Sequence, residues 1–431
     1  MPKVVLIIPP SPWLISDTDL PFLGILYVAS YLEKRNIDVQ LCDLSGLEER
    51  QWKIPVGDCY GITGTSPNFP QIQAITKKLK ERENAFVVVG GPHATTVPEH
   101  VLSNTDADVC VVGEGEIAMF ELLHLPLHQV FNIAYKDSDG KVVRTPQTPL
   151  TADIDDFPPP DLDLVDFYRY SRSQTFKYLL GECREATLIT SRGCPFNCNF
   201  CAQSYIWGGK VRSHSVDRTI EEVETLINKY KVELIYILDD TFVISKERVY
   251  EFCDKIKKLG IKWHCLNRVD RCDYDLLRTM KDAGCLQFVF GFESGSNNML
   301  KMMNKKTTVE QAYNAISTCE KVGIRIRGQM IVGFPGETEE TVAETAEFIT
   351  CAEYVDAFGI HIFQPFPGCS VWQTPEKYGY VLNKNTNFED YHTIGKEDFE
   401  PNTSPQIVEW FKYLKEVAGS RNIELKGALD G

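Results

Sequence analysis

At 431 residues, with 43% hydrophobic and 11% aromatic content, the chain is long enough for two or three domains that each bury a core, and its composition is that of an ordinary globular protein. Forty-five basic against sixty acidic residues give a net charge of -15; with no long Lys/Arg cluster to offset it, nucleic acid and anionic membrane are unexpected partners, while a neutral or cationic small substrate stays open. No run of eighteen apolar residues occurs and "MPKVVLIIPP" reads as a buried strand, so a cytoplasmic protein without membrane insertion is expected, its fourteen cysteines serving as small hydrophobes plus a metal site.

In chain order, "KVVLIIPP", "DVQLCDL", "CYGITGTS", "FVVVGGP" and "DVCVVGEGE" are apolar runs suited to strands buried on both faces, with helical candidates at Leu26 to Lys34 and Ile72 to Arg82 between them. This alternation predicts an α/β fold with a doubly wound, Rossmann-like domain over residues 1–128, whose ligand loops leave the carboxyl ends of the strands: "PPSPWLISDTDLP", "TGTSPNFP", "GGPHATT" and "GEGE". A polar hairpin, "FNIAYKDSDGKVVRTP", and the proline-rich "DFPPPDLDLVDF" mark residues 129–180 as a linker.

A second strand–helix series follows, with strands at "ATLITS", "ELIYILDD", "KWHCLNR", "QFVFGFES", "RIRGQMIVGFPG" and "AFGIHIFQPFP". Val223, Leu226, Ile227 and Tyr230 recur with helical period, as do Val249, Phe252, Cys253 and Ile256. Six such units predict a partial parallel barrel over residues 181–378, with its chemistry at the carboxyl ends of the strands. Residues 379–431 read as a C-terminal helical extension in which Ile407, Trp410, Phe411 and Leu414 share a face that caps the barrel or binds a partner.

The stretch "ITSRGCPFNCNFCAQ" sets Cys194, Cys198 and Cys201 at C-x3-C-x2-C spacing directly after the first barrel strand. Closed tetrahedral sites want four ligands. A zinc knuckle would need a fourth Cys or His nearby, and the nearest histidine is His214. Gly193, Pro195 and two asparagines give the loop turn chemistry rather than core character.

With Phe200 before the last cysteine and a parallel barrel behind it, the triad resembles the radical S-adenosylmethionine (SAM) superfamily. The resemblance implies a [4Fe-4S] cluster held by Cys194, Cys198 and Cys201 through three irons, the fourth iron binding SAM. Reductive cleavage of SAM then gives a 5'-deoxyadenosyl radical. It further implies SAM contacts by Phe200, by Asp239 and Asp240 toward the amino end, by Glu293 and the adjoining Ser294 toward the ribose, by Arg327 and Gln329 toward the carboxylate, and by Gly333 in "MIVGFPGE" toward the adenine. Arg325 and Arg327 share one strand face. A flavodoxin or ferredoxin is the implied electron donor.

The first domain, through "PFLGILYVASYLEKRNIDVQLCD", "GGPHAT" and "GEGE", resembles the cobalamin-binding subgroup of that superfamily. This implies cobalamin between sheet edge and barrel mouth, near Thr63, Thr65, Ser66, Gly90, Gly91, Pro92, His93, Gly113, Glu114 and Gly115. The D-x-H-x-x-G of many cobalamin domains is missing, since "SPWLISDTDLPFLG" has no histidine; the resemblance allows a cofactor bound without one. The implied activity is hydrogen abstraction from an unactivated carbon of a small molecule or natural-product intermediate, followed by methyl transfer from methylcobalamin. A radical lyase, dehydratase or cyclase with a vestigial cobalamin domain is the alternative, for which Tyr205, Cys369 and His361 are candidate catalytic groups. A methylthiotransferase using Cys42, Cys59 and Cys110, and a non-enzymatic cobalamin sensor, are further readings.

Overall fold

The computed structural model describes residues 2–14, 16–18, 20–82, 85–151, 153–171, 180–382, 388, 391 and 404–420. Residues 383–387, 389–390, 392–403 and 421–431 of the anticipated C-terminal extension lie outside the described residues, as does 172–179 of the anticipated linker.

The first domain is a seven-stranded sheet. Strands β1 (Lys3–Ile8), β2 (Asp38–Asp43), β3 (Cys59–Thr63), β4 (Phe86–Gly90) and β5 (Val109–Val111) are parallel, in the order β2-β1-β3-β4-β5. The chain reverses direction across the sheet between β1 and β3, where doubly wound folds open a ligand crevice. The hairpin expected in the linker instead extends this sheet: β6 (Ile133–Lys136) pairs antiparallel with β5, and β7 (Val142–Arg144) with β6. Ile133 and Ala134 are buried, so the hairpin also covers what would have been an apolar edge. Helices Leu23–Glu33 and Phe69–Lys80 each start three residues before the expected position; Pro70 in the first turn of the second costs no intrahelical donor.

The second domain is six parallel strands, β8 (Glu185–Leu188), β11 (Leu234–Ile237), β12 (Lys262–Asn267), β13 (Cys285–Glu293), β14 (Arg325–Val332) and β15 (Ala357–Ile362), adjacent in chain order. Between β8 and β11 a two-stranded ladder, β9 (Ser191–Arg192) with β10 (Arg212–Ser213), ties the base of the cysteine loop. Helices wrap the outside with capped starts: Ser215 and Ser245 each accept from the backbone three residues on. The helix Pro405–Gly419 packs on β15 and on the helix Glu339–Cys351. It buries Leu414 and Ala418 and sets Ile407, Trp410 and Phe411 against the core. It thus covers the β15 edge of the barrel, the first of the two roles expected for that face.

Candidate active site

The cysteine loop is placed by the strand ends behind it. Asp239, at the end of β11, is buried, and its carboxylate accepts from the Thr190 amide (2.6 Å) and hydroxyl (2.6 Å) and the Ser191 amide (3.0 Å) and hydroxyl (2.6 Å). Four donors leave no room for a cofactor ammonium. Asp239 therefore fixes the turn into the loop, which corrects the expectation that it meets SAM. Strand alternation sends its neighbour the other way. Asp240 lines the cavity at the mouth, holds the Gly193 amide, and has its pKa raised to about 6 by burial and by Asp239.

Gly193 precedes Cys194 with φ +99, and a Cβ there would lie 2.0 Å from the Lys210 carbonyl oxygen. We expect Gly193→Ala to prevent cluster uptake, by moving Cys194 or opening the β9–β10 ladder. Iron content after anaerobic reconstitution checks this, and circular dichroism checks that the chain still folds.

Cys198 is buried and Cys194 and Cys201 partly so. Desolvation raises all three thiol pKa values, Cys201 to about 12, while Lys305 and Arg268 act in the opposite sense on Cys198. Thiolates at such positions need a bound cation. Among the described residues no three Cys, His, Asp or Glu side chains converge as a single-ion site requires; three thiolates that each meet a different iron need not converge. The loop rests on the turn after helix Asn297–Met302: the Asn199 amide donates to the Met303 carbonyl (2.8 Å), Asn199 Nδ2 to that of Met302 (2.7 Å), and Asn304 Nδ2 to that of Asn197 (2.8 Å). Arg268 lies 3.6 Å over the Phe196 ring, and Lys305 Nζ 5.8 Å from that of Phe200.

Other expected SAM contacts divide. Glu293 ends β13 at φ +67 beside a register shift, and its carboxylate is 2.7 Å from Lys305 Nζ with both side chains buried. Backbone strain of this kind persists where surroundings over-determine it. Gln329 Oε1 meets His361 Nε2 at 2.6 Å across β14 and β15, and Gly359 leaves the space for the amide. Deeper in the barrel, Tyr236 stacks on His264, which pairs with Glu185, and Arg327 acts on Tyr236 electrostatically; Arg325 is spent on Asp356 (2.8 Å). Two expectations fail. The Ser294 hydroxyl is buried against Thr345 Oγ1 (3.1 Å) and accepts from the Ser296 amide (3.1 Å), so it supports the turn. Gly333 faces the closing helix, where a Cβ would meet Ile407 at 2.7 Å, and its amide donates to Glu337.

A cavity of about 430 Å³ lies between the two domains. From the first domain it is lined by Thr63, Thr65, Gly90, Gly91, Pro92, Gly113, Glu114 and Gly115, as expected, and also by Gly64, Tyr27, Val28 and Met119. From the barrel come Arg192, Gly193, Gln203, Trp207 and Asp240. Gly91, at φ +90, could carry no Cβ, which would sit 2.9 Å from the Gly64 backbone; Gly113, at φ +96, has open space there. These glycines bring bare backbone to the cavity wall, as a large planar cofactor with a threaded tail requires. Gln203 Oε1 is buried without a partner among the described residues. The glycine-rich lining thus suits a corrinoid, and no histidine among the described residues is part of it.

Three anticipated contacts are corrected. His93 is buried among Phe69, His100 and Phe388, bonds Ser66 Oγ through Nδ1 (3.0 Å), and is pushed down to about 3 by burial; it and Ser66 turn away from the cavity. Glu114, though at the cavity edge, is engaged by Arg192 (2.7 Å) and Arg212 (2.9 Å), with Glu116 on Arg192 as well (2.7 Å). Sequence reasoning missed this latch, since nothing in "GEGE" or "TSRG" says which acid faces which base. Tyr205 is 42% exposed, its hydroxyl directed at Arg144 rather than into the mouth. Cys369 is fully buried and accepts from the Trp372 amide at a helix start. Cys42, Cys59 and Cys110 are buried in β2, β3 and β5, with thiol pKa values pushed up by burial.

The profile of the Radical SAM superfamily matches residues 188–349, and that of the B12 binding domain residues 16–123. An uncharacterised methyltransferase of Pyrococcus horikoshii is 33% identical over 412 residues, spanning 91% of this chain and 86% of that one. The chain belongs to the radical SAM superfamily, with a B12-binding domain. Cytidylyl-2-hydroxyethylphosphonate methyltransferase of Streptomyces wedmorensis is 27% identical over 88% of this radical SAM chain and 82% of its own. An anaerobic magnesium-protoporphyrin IX monomethyl ester cyclase of Rubrivivax gelatinosus is 31% identical over 75% and 59%. Among solved structures, the radical SAM methyltransferase TsrM of Kitasatospora setae, with cobalamin and a [4Fe-4S] cluster bound, superposes with a TM-score of 0.71 at 17% identity, over 88% of this chain and 75% of that one. No helix among the described residues is long and apolar enough to cross a membrane.

Asp240 now has a testable consequence. Its pKa is raised from 3.8 to about 6 in the fold, so the folded state binds the proton more tightly than the unfolded chain. Stability therefore falls as pH rises through that window and stays low above it. In ligand-free protein, Asp240→Asn is expected to be more stable than the parent by on the order of 1–3 kcal/mol at pH 8 and no different near pH 4. Urea midpoints at the two pH values decide it.

Proposed function

We propose that the chain is a cobalamin-dependent radical SAM methyltransferase acting on an unactivated carbon of a small molecule or natural-product intermediate. The observation that carries this reading is the shared cavity: the loop bearing the cluster cysteines forms one wall and the glycine-rich loops of the B12-binding domain the other. When bound, the cluster with SAM supplies a hydrogen-abstracting radical and cobalamin a transferable methyl group.

The chain's own residues do the placing. Cys194, Cys198 and Cys201 hold the cluster, with Asp239 and the Asn199 and Asn304 bonds fixing their loop. Asp240 offers a carboxylate to the SAM ammonium, and Glu293, held by Lys305, one to the ribose hydroxyls. Gln329, oriented by His361, and Arg327 stand on the carboxylate side. The Gly64, Gly91 and Gly113 backbone and the apolar walls from Tyr27, Val28 and Met119 seat the corrinoid and keep water from the radical. We assign the protein to the cytoplasm, supplied with electrons by a low-potential carrier.

Likeness to the cyclase favours a second reading, radical ring closure. The two differ in stoichiometry. A methyltransferase that uses one SAM as methyl source and one as radical source forms S-adenosylhomocysteine and 5'-deoxyadenosine together; a cyclase forms only the latter. Anaerobically reconstituted protein, given SAM, a reductant and a panel of natural-product acceptors, is expected to form both in equal amounts. Turnover giving 5'-deoxyadenosine alone overturns the proposal.

A further inference from the structure

A second cavity, of about 280 Å³, adjoins the first and shares Thr65, Pro92 and Ile206 with it. Both domains supply its walls. Trp13 and Leu14 follow β1, Ser66 and Pro67 follow β3, and Phe366 and Pro367 follow β15, with Ala202 of the cysteine loop at one end. We infer that this cavity seats a neutral aromatic ring of the methyl acceptor; the inference rests on the methyltransferase reading and deepens it by naming the substrate class.

The wall chemistry excludes a charged group. Among the described residues no Asp, Glu, Lys, Arg or His lines the cavity. Its hydroxyls are already engaged: Thr65 Oγ1 donates to Asn68 Oδ1 (2.7 Å), Ser66 Oγ meets His93 Nδ1 (3.0 Å), and Thr96 Oγ1 donates to the Pro92 carbonyl (3.0 Å). Burial pushes the Tyr391 phenol pKa up, so it stays protonated. A phosphate, carboxylate or ammonium seated there would lose its water and meet no opposite charge.

What the wall offers is flat apolar surface. Trp13, Phe366 and Tyr391 bring aromatic rings, and Pro67, Pro92 and Pro367 bring the faces of theirs. Tyr391 is set edge-on to Phe366 at 6.1 Å and to Trp372 at 6.2 Å, which braces that side from behind. Gly368, at φ +96, lets the turn after β15 close onto the first domain, where a Cβ would lie 3.0 Å from Thr96 Cγ2. A ring among rings gains offset and edge-on contacts that an aliphatic chain does not make. The volume suits a one- or two-ring group, with the rest of a larger acceptor outside it. Such a ring stands between the cluster loop, where Ala202 follows Cys201, and the Thr65 and Pro92 loops that also line the corrinoid cavity.

The test uses the full chain loaded with hydroxocobalamin, so that the larger cavity is filled, with indole as the neutral probe and cytidine 5'-monophosphate as the charged one. Binding is read by equilibrium dialysis. Expected are saturable binding of indole and binding of the nucleotide at least about tenfold weaker. Indole affinity should fall at least about tenfold in Phe366→Asp and in Trp13→Ala, and stay unchanged in Val56→Asp, an exposed position before the amino end of β3. Corrinoid uptake should match the parent's in every variant, because neither Trp13 nor Phe366 lines the larger cavity; a variant that loses it has misfolded, and the other then decides. No saturable indole binding by the parent, nucleotide binding as tight as that of indole, or unchanged indole affinity in a folded Phe366 or Trp13 variant overturns the inference. A parent chain that takes up no corrinoid overturns the cobalamin reading instead, and the two variants still decide the second cavity.

Discussion

Cys198→Ala, reconstituted anaerobically with iron and sulfide, is expected to show none of the parent's iron–sulfur absorbance and to form 5'-deoxyadenosine from SAM only at the buffer background, while binding hydroxocobalamin as tightly as the parent. Cys194→Ala and Cys201→Ala should behave alike. Two thiolates cannot hold a cluster that already lacks a fourth protein ligand. The corrinoid wall, by contrast, is built from loops at Thr63–Thr65, Gly90–Pro92 and Gly113–Gly115 that no cysteine of the triad touches. Cys198 is the most informative of the three because it is buried. Its alanine variant loses a small apolar atom's packing, about 1 kcal/mol, so activity is lost in a folded chain. Cluster absorbance retained in all three variants would remove the basis of the proposed function.

How far the sequence reveals this site depends on how local each feature is. The cysteine triad is local, since spacing alone makes the loop, and both strand series are local because each strand's apolar run is its own signal. The Asp239–Asp240 pair marks a functional strand end, but which carboxylate serves the cofactor depends on strand phase against Thr190 and Ser191, some fifty residues earlier. His93 reads as a loop residue near the cofactor tail, yet the turn of Pro92–Thr96 rotates it onto Phe69 and His100. The polar hairpin and the proline-rich stretch after it read together as a linker; that the hairpin also extends the sheet depends on its pairing with β5, which lies outside its own sequence. The apolar face of the final helix is legible in the sequence, but that β15 rather than a partner receives it is a matter of tertiary packing.

The second large effect lies where the two domains meet. Arg192, two residues before Cys194, and Arg212 stand opposite each other on the β9–β10 ladder, both on Glu114, with Glu116 also on Arg192. Arg192, Glu114 and Glu116 are all almost wholly buried, and the Arg192 guanidinium also sits 4.9 Å over the Tyr27 ring. Arg192→Met leaves Glu116 buried with no cation against it, which costs about 3–5 kcal/mol, and loosens the cluster loop, whose ladder is then tied to the cavity wall by Arg212 on Glu114. We expect a lower urea midpoint and, after loading with cluster and cob(II)alamin, a weaker spin–spin interaction between the two centres by electron paramagnetic resonance. Arg192→Met/Glu116→Gln separates the two consequences. Removing the stranded charge should restore most of the stability, because an uncompensated carboxylate is the expensive part. It should not restore the spin coupling, because the ladder is then held to the "GEGE" turn by Arg212 on Glu114 without the Arg192 pairs. Recovery of both together would mean that the latch only stabilises the fold and that the spacing of the two centres is set elsewhere.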